Sequence, residues 1–165
     1  MFKIGDKVFY PFHGAGEISE IKEKEVLGNK NVYYEIYFPL TGTKISVPAN
    51  NAEKIFLRYL STEDKIKEGL KYLASKEIYT EIHWKNRYTK YQALLKSGTL
   101  IEMLEVVKSL FFQNKKKEIS VTEKRLYNQT LNLICNEIAL SLGKNIEDVK
   151  KEIIDILNKL SDEID

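Results

Sequence analysis

The sequence predicts an α+β protein, with a small antiparallel β-barrel or strongly bent sheet first and an all-α bundle of about five helices after it. Three observations predict this. All three prolines (Pro11, Pro39 and Pro48) and most of the glycines lie in the first third of the 165 residues. Residues 31–38 alternate, with Val32, Tyr34, Ile36 and Phe38 on one side and Tyr33, Glu35 and Tyr37 on the other, the period-two pattern of a half-buried strand. From about Ser61 onward apolar residues recur at three- and four-residue spacing instead, as in Trp84, Tyr88, Tyr91 and Leu95.

In the first half, Lys7 to Tyr10 reads as a short strand stopped by Pro11, and Gly14 and Gly16 let the chain turn where a Cβ would clash. Glu17 to Lys22 is a strand with one exposed face, and Leu27 to Asn31 is turn chemistry. The 31–38 strand is answered across a turn at Leu40–Thr43 by Lys44 to Val47, which Pro48 closes. So few short strands leave an edge that is either protected or used for pairing with another protein. In the second half, Ser61-Thr62-Glu63-Asp64 is a helix start, with Ile66, Leu70 and Leu73 on one face of the helix that follows. A helix from Trp84 ends near Ser97-Gly98. A third spans Leu100 to Phe112, with Met103, Leu104, Val107, Leu110 and Phe111 inward, and Gln113 to Lys117 forms a polar connector. Ser120-Val121-Thr122-Glu123 resembles a capping box that opens a fourth helix, ended by Gly143, and a fifth runs from Ile146 to about Leu160. The expected division is 1–57 and 58–165.

Composition bounds the function. A formal net charge of +2 means that any nucleic-acid surface is a local patch. Cys135 is the single cysteine, so no internal disulfide forms, and the residue looks like a small buried hydrophobe. No apolar run is long enough for a membrane span, and the N-terminal residues have no signal-peptide core, so a cytoplasmic protein is expected. His13 and His83 are the two histidines. His13 reads as a loop histidine packed on the sheet, and His83 as a helix-start or phosphate contact. No phosphate loop, metal cluster or nucleophile–base pair is present, so neither an enzyme nor a cofactor is expected. The many helical glutamates read as solvated faces.

The most informative segment is Trp84-Lys85-Asn86-Arg87-Tyr88-Thr89-Lys90-Tyr91. It lies in a stretch from Ile82 to Ile101 that contains no Asp or Glu. A flat apolar ring beside unopposed positive charge suits a nucleic-acid groove or a disrupted base step. On spacing alone, a core-anchor tryptophan flanked by solvated basic residues is the more frequent arrangement.

Ile4-Gly5-Asp6-Lys7-Val8-Phe9-Tyr10-Pro11-Phe12-His13-Gly14-Ala15-Gly16 and Val47-Pro48-Ala49-Asn50-Asn51-Ala52 resemble the β domain of the CarD/CdnL family of bacterial transcription regulators. Trp84 to Gly98, Glu105 to Leu110 and Ser120 to Arg125 resemble that family's helical domain, in order and distance. The Gly-Asp-x-Val-x-Tyr-Pro-x-His-Gly stretch is shared with transcription-repair coupling factors, and the tryptophan segment selects CarD/CdnL. The resemblance implies a Tudor-like β domain that docks on the RNA polymerase β subunit by strand pairing, with Lys24, Lys44, Ile45, Ser46, Val47 and Pro48 at the contact. It implies a helical domain that contacts promoter DNA at the upstream edge of the −10 region through Trp84, Lys85, Asn86, Arg87 and Lys90, with the tryptophan as a minor-groove wedge that prolongs the open complex. A monomer without membrane contact is expected. The sequence departs from the family pattern at Asn86, Thr89 and Ser46, where basic residues are common. A protein-interaction adaptor, whose helical half binds protein instead of DNA, is the alternative.

Overall fold

A computed structural model describes residues 1–78 and 84–165, with Trp84 described in its backbone only. The chain forms two compact units, Met1–Leu60 and Ser61–Asp165.

The first unit is a five-stranded antiparallel sheet: β1 (Lys7–Tyr10), β2 (Gly14–Val26), β3 (Asn29–Phe38), β4 (Thr43–Pro48) and β5 (Arg58–Tyr59), in the spatial order β4-β3-β2-β1-β5. The expected alternation on β3 is present. Tyr34, Ile36 and Phe38 join Val8, Ile18, Val47, Ala52 and Leu57 in one core, while Val32, nearer the hairpin tip, stays exposed. The β2–β3 hairpin is longer than the sequence suggested. Pairing continues to Val26↔Asn29, so the turn shrinks to Leu27 and Gly28, both at positive φ as a type I′ turn demands. A register shift between Ile18 and Glu20 bends β2. Gly16 does not turn the chain. It sits within β2 where an added Cβ would come to 2.7 Å from the Tyr37 carbonyl oxygen, so it permits the close approach of β3. A 3-10 turn at Ala49–Asn51 follows Pro48 and leads towards β5, a two-residue strand on β1.

The second unit contains α1 (Glu63–Ala74), α2 (Trp84–Ser97), α3 (Leu100–Lys116), α4 (Val121–Leu142) and α5 (Ile146–Ile164). The helix starts follow capping chemistry. Thr62, Thr99, Ser120 and Asn145 each accept a backbone N–H from the first turn, and Gly143 ends α4 in the left-handed region. Thr99 and Glu102 form a complete capping box. Ser61 is not the cap of α1. Its N–H donates to Glu137 Oε2 at 2.7 Å, and its carbonyl accepts from Ser141 Oγ at 2.6 Å.

Three expectations need correction. The connector at Gln113 to Lys117 is helical through Lys116. Phe111 is only half-buried and Phe112 is the inward ring, because α3 packs against α1, α2, α4 and α5 and buries most of its circumference. The helical glutamates are not all solvated, since Glu123 and Glu137 are buried. Cys135 is buried as expected, and burial pushes its thiol up to about 11, which keeps it protonated and unreactive.

Lys108 is the most deeply placed cation among the described residues of this unit, with 1% of its surface exposed. Its ammonium donates to the carbonyls of Tyr72 (2.8 Å) and Ser75 (2.7 Å) and to Ser75 Oγ (3.2 Å), and it stands 4.4 Å from the Tyr72 ring centroid. It thereby ties α3 to the C-terminal end of α1, where the Tyr72 carbonyl also accepts from the Ser75 N–H at 3.0 Å and Ser75 Oγ at 2.7 Å. Burial lowers its pKa to about 8, against the opposing pull of Glu77. The unfolded chain therefore binds a proton that the folded chain has released between about pH 8 and 10.5, so this residue makes stability rise with pH across that window. Cys135, held near 11, and Tyr72, raised to about 12 mainly by burial, act in the opposite sense at the upper end. The difference between wild type and Lys108→Met isolates the lysine. Urea titrations from pH 8 to 10 should show a more positive slope for wild type, by up to about 1.4 kcal/mol per pH unit. Equal slopes would place the ionisation of Lys108 elsewhere.

Candidate functional site

Two surfaces carry the chemistry, one on each unit. On the sheet, β4 is an outer strand, hydrogen-bonded to β3 on one side, from Tyr33↔Pro48 to Phe38↔Thr43. Lys44 and Ser46 are exposed, Ile45 and Pro48 half-buried, and Val47 is 3% exposed in the core, so Val47 offers its backbone and not its side chain. Lys24 does not project alone. Its ammonium meets Glu35 Oε1 at 2.9 Å and donates to Ser46 Oγ at 2.8 Å, and Ser46 Oγ in turn donates to Glu35 Oε1 at 2.8 Å. These bonds, led by Lys24 and then Ser46, hold the Glu35 carboxyl below the usual range. The triad spans β2, β3 and β4 and braces the outer strand. With Glu35 paired to Lys24, the Ser46 hydroxyl completes the network. Glu35 carried no sequence signal beyond its side of the alternation.

On the same unit, His13 is exposed, with its ring 4.2 Å from Tyr10 and 6.3 Å from Phe38, and partial burial lowers its pKa. Among the described residues no group of three or more His, Cys, Asp or Glu is placed to hold a metal ion.

In the helical unit, α2 opens at Trp84 with no acidic residue in its first turn. Lys85 and Asn86 are exposed. Arg87 has a partner that sequence reasoning missed. Its Nε donates to Glu123 Oε2 at 2.8 Å and its Nη2 to Glu123 Oε1 at 2.9 Å, a bidentate pair with side-chain exposures of 12% and 3%. Glu123 holds the guanidinium pKa above its ordinary value. The Glu123 backbone N–H is capped by Ser120 Oγ at 3.1 Å, so the expected capping box is half made, its carboxylate turned to Arg87 instead. Lys90 lies 3.5 Å from Glu105 on α3, and Tyr91, fully buried, shares a 2.5 Å hydrogen bond with Ser109. Tyr91 and Leu95 thus form the core stripe of α2, with Tyr88 half-buried. The contacts of the Trp84 ring and the position of His83 lie outside the described residues.

A five-stranded sheet with an open outer strand, followed by a capped five-helix unit whose second helix presents basic residues, defines a two-module architecture suited to macromolecular recognition. Comparison with known proteins identifies it. The CarD-like/TRCF RID domain, a family of RNA polymerase-interacting domains, matches residues 2–61, and the CarD C-terminal domain matches residues 68–155. The chain belongs to the CarD-like family of transcription factors. It is 29% identical over 150 residues to the "Putative transcription factor YdeB" of Bacillus subtilis (strain 168), covering 91% of this chain and 98% of that protein. It also matches the NMR structure of the 72-residue N-terminal domain of Myxococcus xanthus CarD, with 30% identity, 36% of this chain and 79% of that one covered, and a TM-score of 0.32. No helix among the described residues is long and apolar enough to cross a membrane.

Proposed function

We propose that this protein is a cytoplasmic, non-enzymatic promoter-complex regulator that docks on the RNA polymerase β subunit through β4 and stabilises the open promoter complex through the first turn of α2. The observation that carries the reading is the outer strand. Six residues of β4 are open on one side, braced from behind by the Lys24–Glu35–Ser46 triad, whereas the opposite outer strand, β5, has two residues. Main-chain pairing along such an edge supplies affinity, and Lys44, Ile45, Ser46 and Pro48 supply specificity.

The DNA half follows from the family and from the chemistry of α2. Trp84 acts as the minor-groove wedge at the upstream edge of the −10 region, and Lys85, Asn86 and Lys90 flank it. Arg87 takes a positioning part, since its guanidinium fork is already closed on Glu123. A local contact suffices for a chain of net charge +2 because docking on polymerase raises the effective concentration at the promoter.

A photo-crosslinker introduced at Lys44 of the full-length protein, in a complex with polymerase and promoter, should capture the β subunit. Footprinting of the same complex should show added protection at the upstream edge of the −10 region. Crosslinks to another subunit would move the docking surface. Capture of the β subunit without any change in the promoter footprint would favour the adaptor reading, in which the helical unit binds protein.

A further inference from the structure

We infer that Lys115, Lys116 and Lys117, at the end of α3, form a second phosphate-binding element beside the α2 turn that opens with Trp84. The inference rests on the DNA contact proposed above and adds to it a set of residues and a strand-backbone role.

Register places the two together. Side chains of α2 and α3 meet at Lys90 with Glu105 and at Tyr91 with Ser109, and Ser97 Oγ donates to Glu102 Oε2 at 2.7 Å near the short link between them. The helices are therefore antiparallel, and the level of one can be read from the other. Trp84 precedes Tyr91 by as many residues as Lys116 follows Ser109, and each interval rises about 10 Å along its helix. The lysines end α3 at the level where α2 begins. Arg87 locked on Glu123 brings the first turn of α4 to this same end.

All three lysines are exposed. Successive helical residues step by about 100°, so Lys115 and Lys116 project over a wide arc, and Lys117, the C-cap in extended conformation, continues the cluster beyond the helix. Lys115 keeps its ammonium 5.4 Å from the Phe111 ring centroid, a contact that steadies the stem without neutralising the charge. The acids nearby in sequence have other partners: Glu118 pairs with Lys124, and Glu123 with Arg87. A cationic cluster beside a groove-facing turn fits the sugar–phosphate backbone flanking that groove, a contact that sets position without reading sequence.

One competing role has a distinct signature. Asp162, Glu163 and Asp165 close α5, which runs antiparallel to α4 after the short link at Gly143 and so ends near the start of α4. If the lysines only balanced those carboxylates, their removal would lower stability and leave DNA binding alone.

The test uses full-length protein and a duplex with a melted end, with affinity measured by fluorescence anisotropy across a range of salt. The Lys115→Gln/Lys116→Gln/Lys117→Gln variant should bind more weakly at low salt. Its slope of log affinity against log salt should become shallower by about 0.9 for each phosphate that is no longer neutralised. A control, Lys144→Gln/Lys150→Gln/Lys151→Gln, removes the same formal charge at the far end of the α4–α5 pair and should retain the wild-type slope. An unchanged slope in the first variant overturns the inference, as does an equal change in the control, which would make the effect one of net charge. Trp84→Ala in the same assay separates the two readings. If it weakens binding while the lysine variant does not, only the second element fails. If neither substitution matters, the DNA contact itself fails.

Discussion

Glu123→Ala is expected to lower the stability of the helical unit by about 3–5 kcal/mol, the usual cost of removing one member of a buried ion pair. The cost has an identifiable origin. Arg87 engages both Glu123 oxygens in bidentate geometry, and its side chain is 12% exposed, so water cannot fully replace the missing carboxylate. A guanidinium cannot shed its proton to escape burial. Urea denaturation followed by far-UV circular dichroism measures the loss. Glu63, which meets Lys67 at 3.4 Å with both side chains about two-thirds exposed or more, gives the contrast, and Glu63→Ala should cost well under about 1 kcal/mol. A loss for Glu123→Ala in that same small range would mean that the pair adds no more than an exposed one, and the assignment of Arg87 as the residue that holds the α2 turn would go with it.

That pair also shows where sequence reading stops. Helix starts were legible because capping acts between residues three apart, as with Thr62 and Lys65 or Ser120 and Glu123. The sheet core was legible because β3 alternates strictly. The Arg87–Glu123 bond joins positions 36 apart, and no local pattern reports such a pairing. The same residue types at the same spacing fit an exposed basic helix or a locked one, and only tertiary packing separates them. Strand β5 was missed because two residues have no period to read. Phe111 and Phe112 were exchanged because α3 is covered from several sides, and a helix buried most of the way round loses the stripe that betrays an inward face. Ser97-Gly98 reads as a helix stop and is one, and the Thr99–Glu102 box opens the next helix directly behind it. At the outer strand, the pattern placed Lys44 to Val47 on a strand closed by Pro48, within the observed Thr43–Pro48, yet gave no partner for Ser46. Its partner is Glu35, across the ladder and paired with Lys24.

Trp84→Ala should shorten the lifetime of the open promoter complex by about tenfold or more while leaving capture of the β subunit through β4 intact. An apolar wedge in intact duplex must supply unstacking energy, on the order of a few kcal/mol per step. Where the duplex is already parted, much of that cost has been met by polymerase. On the proposed reading the ring gains more from the open state than from the closed one, and a ligand shifts an equilibrium only by that difference. A tenfold change corresponds to about 1.4 kcal/mol, a fraction of what a well-seated aromatic ring can supply. Single-round transcription with heparin challenge reads the lifetime, and the β-subunit crosslink from Lys44 reads docking in the same preparation. Trp84→Phe should fall between wild type and alanine, because a smaller ring keeps the wedge and gives up area. If alanine and tryptophan give equal lifetimes with docking preserved, the ring does not act on DNA, and the acid-free first turn of α2 then serves a protein partner. If docking is lost as well, the substitution has disturbed more than the wedge, and the assignment of separate tasks to the two units falls instead.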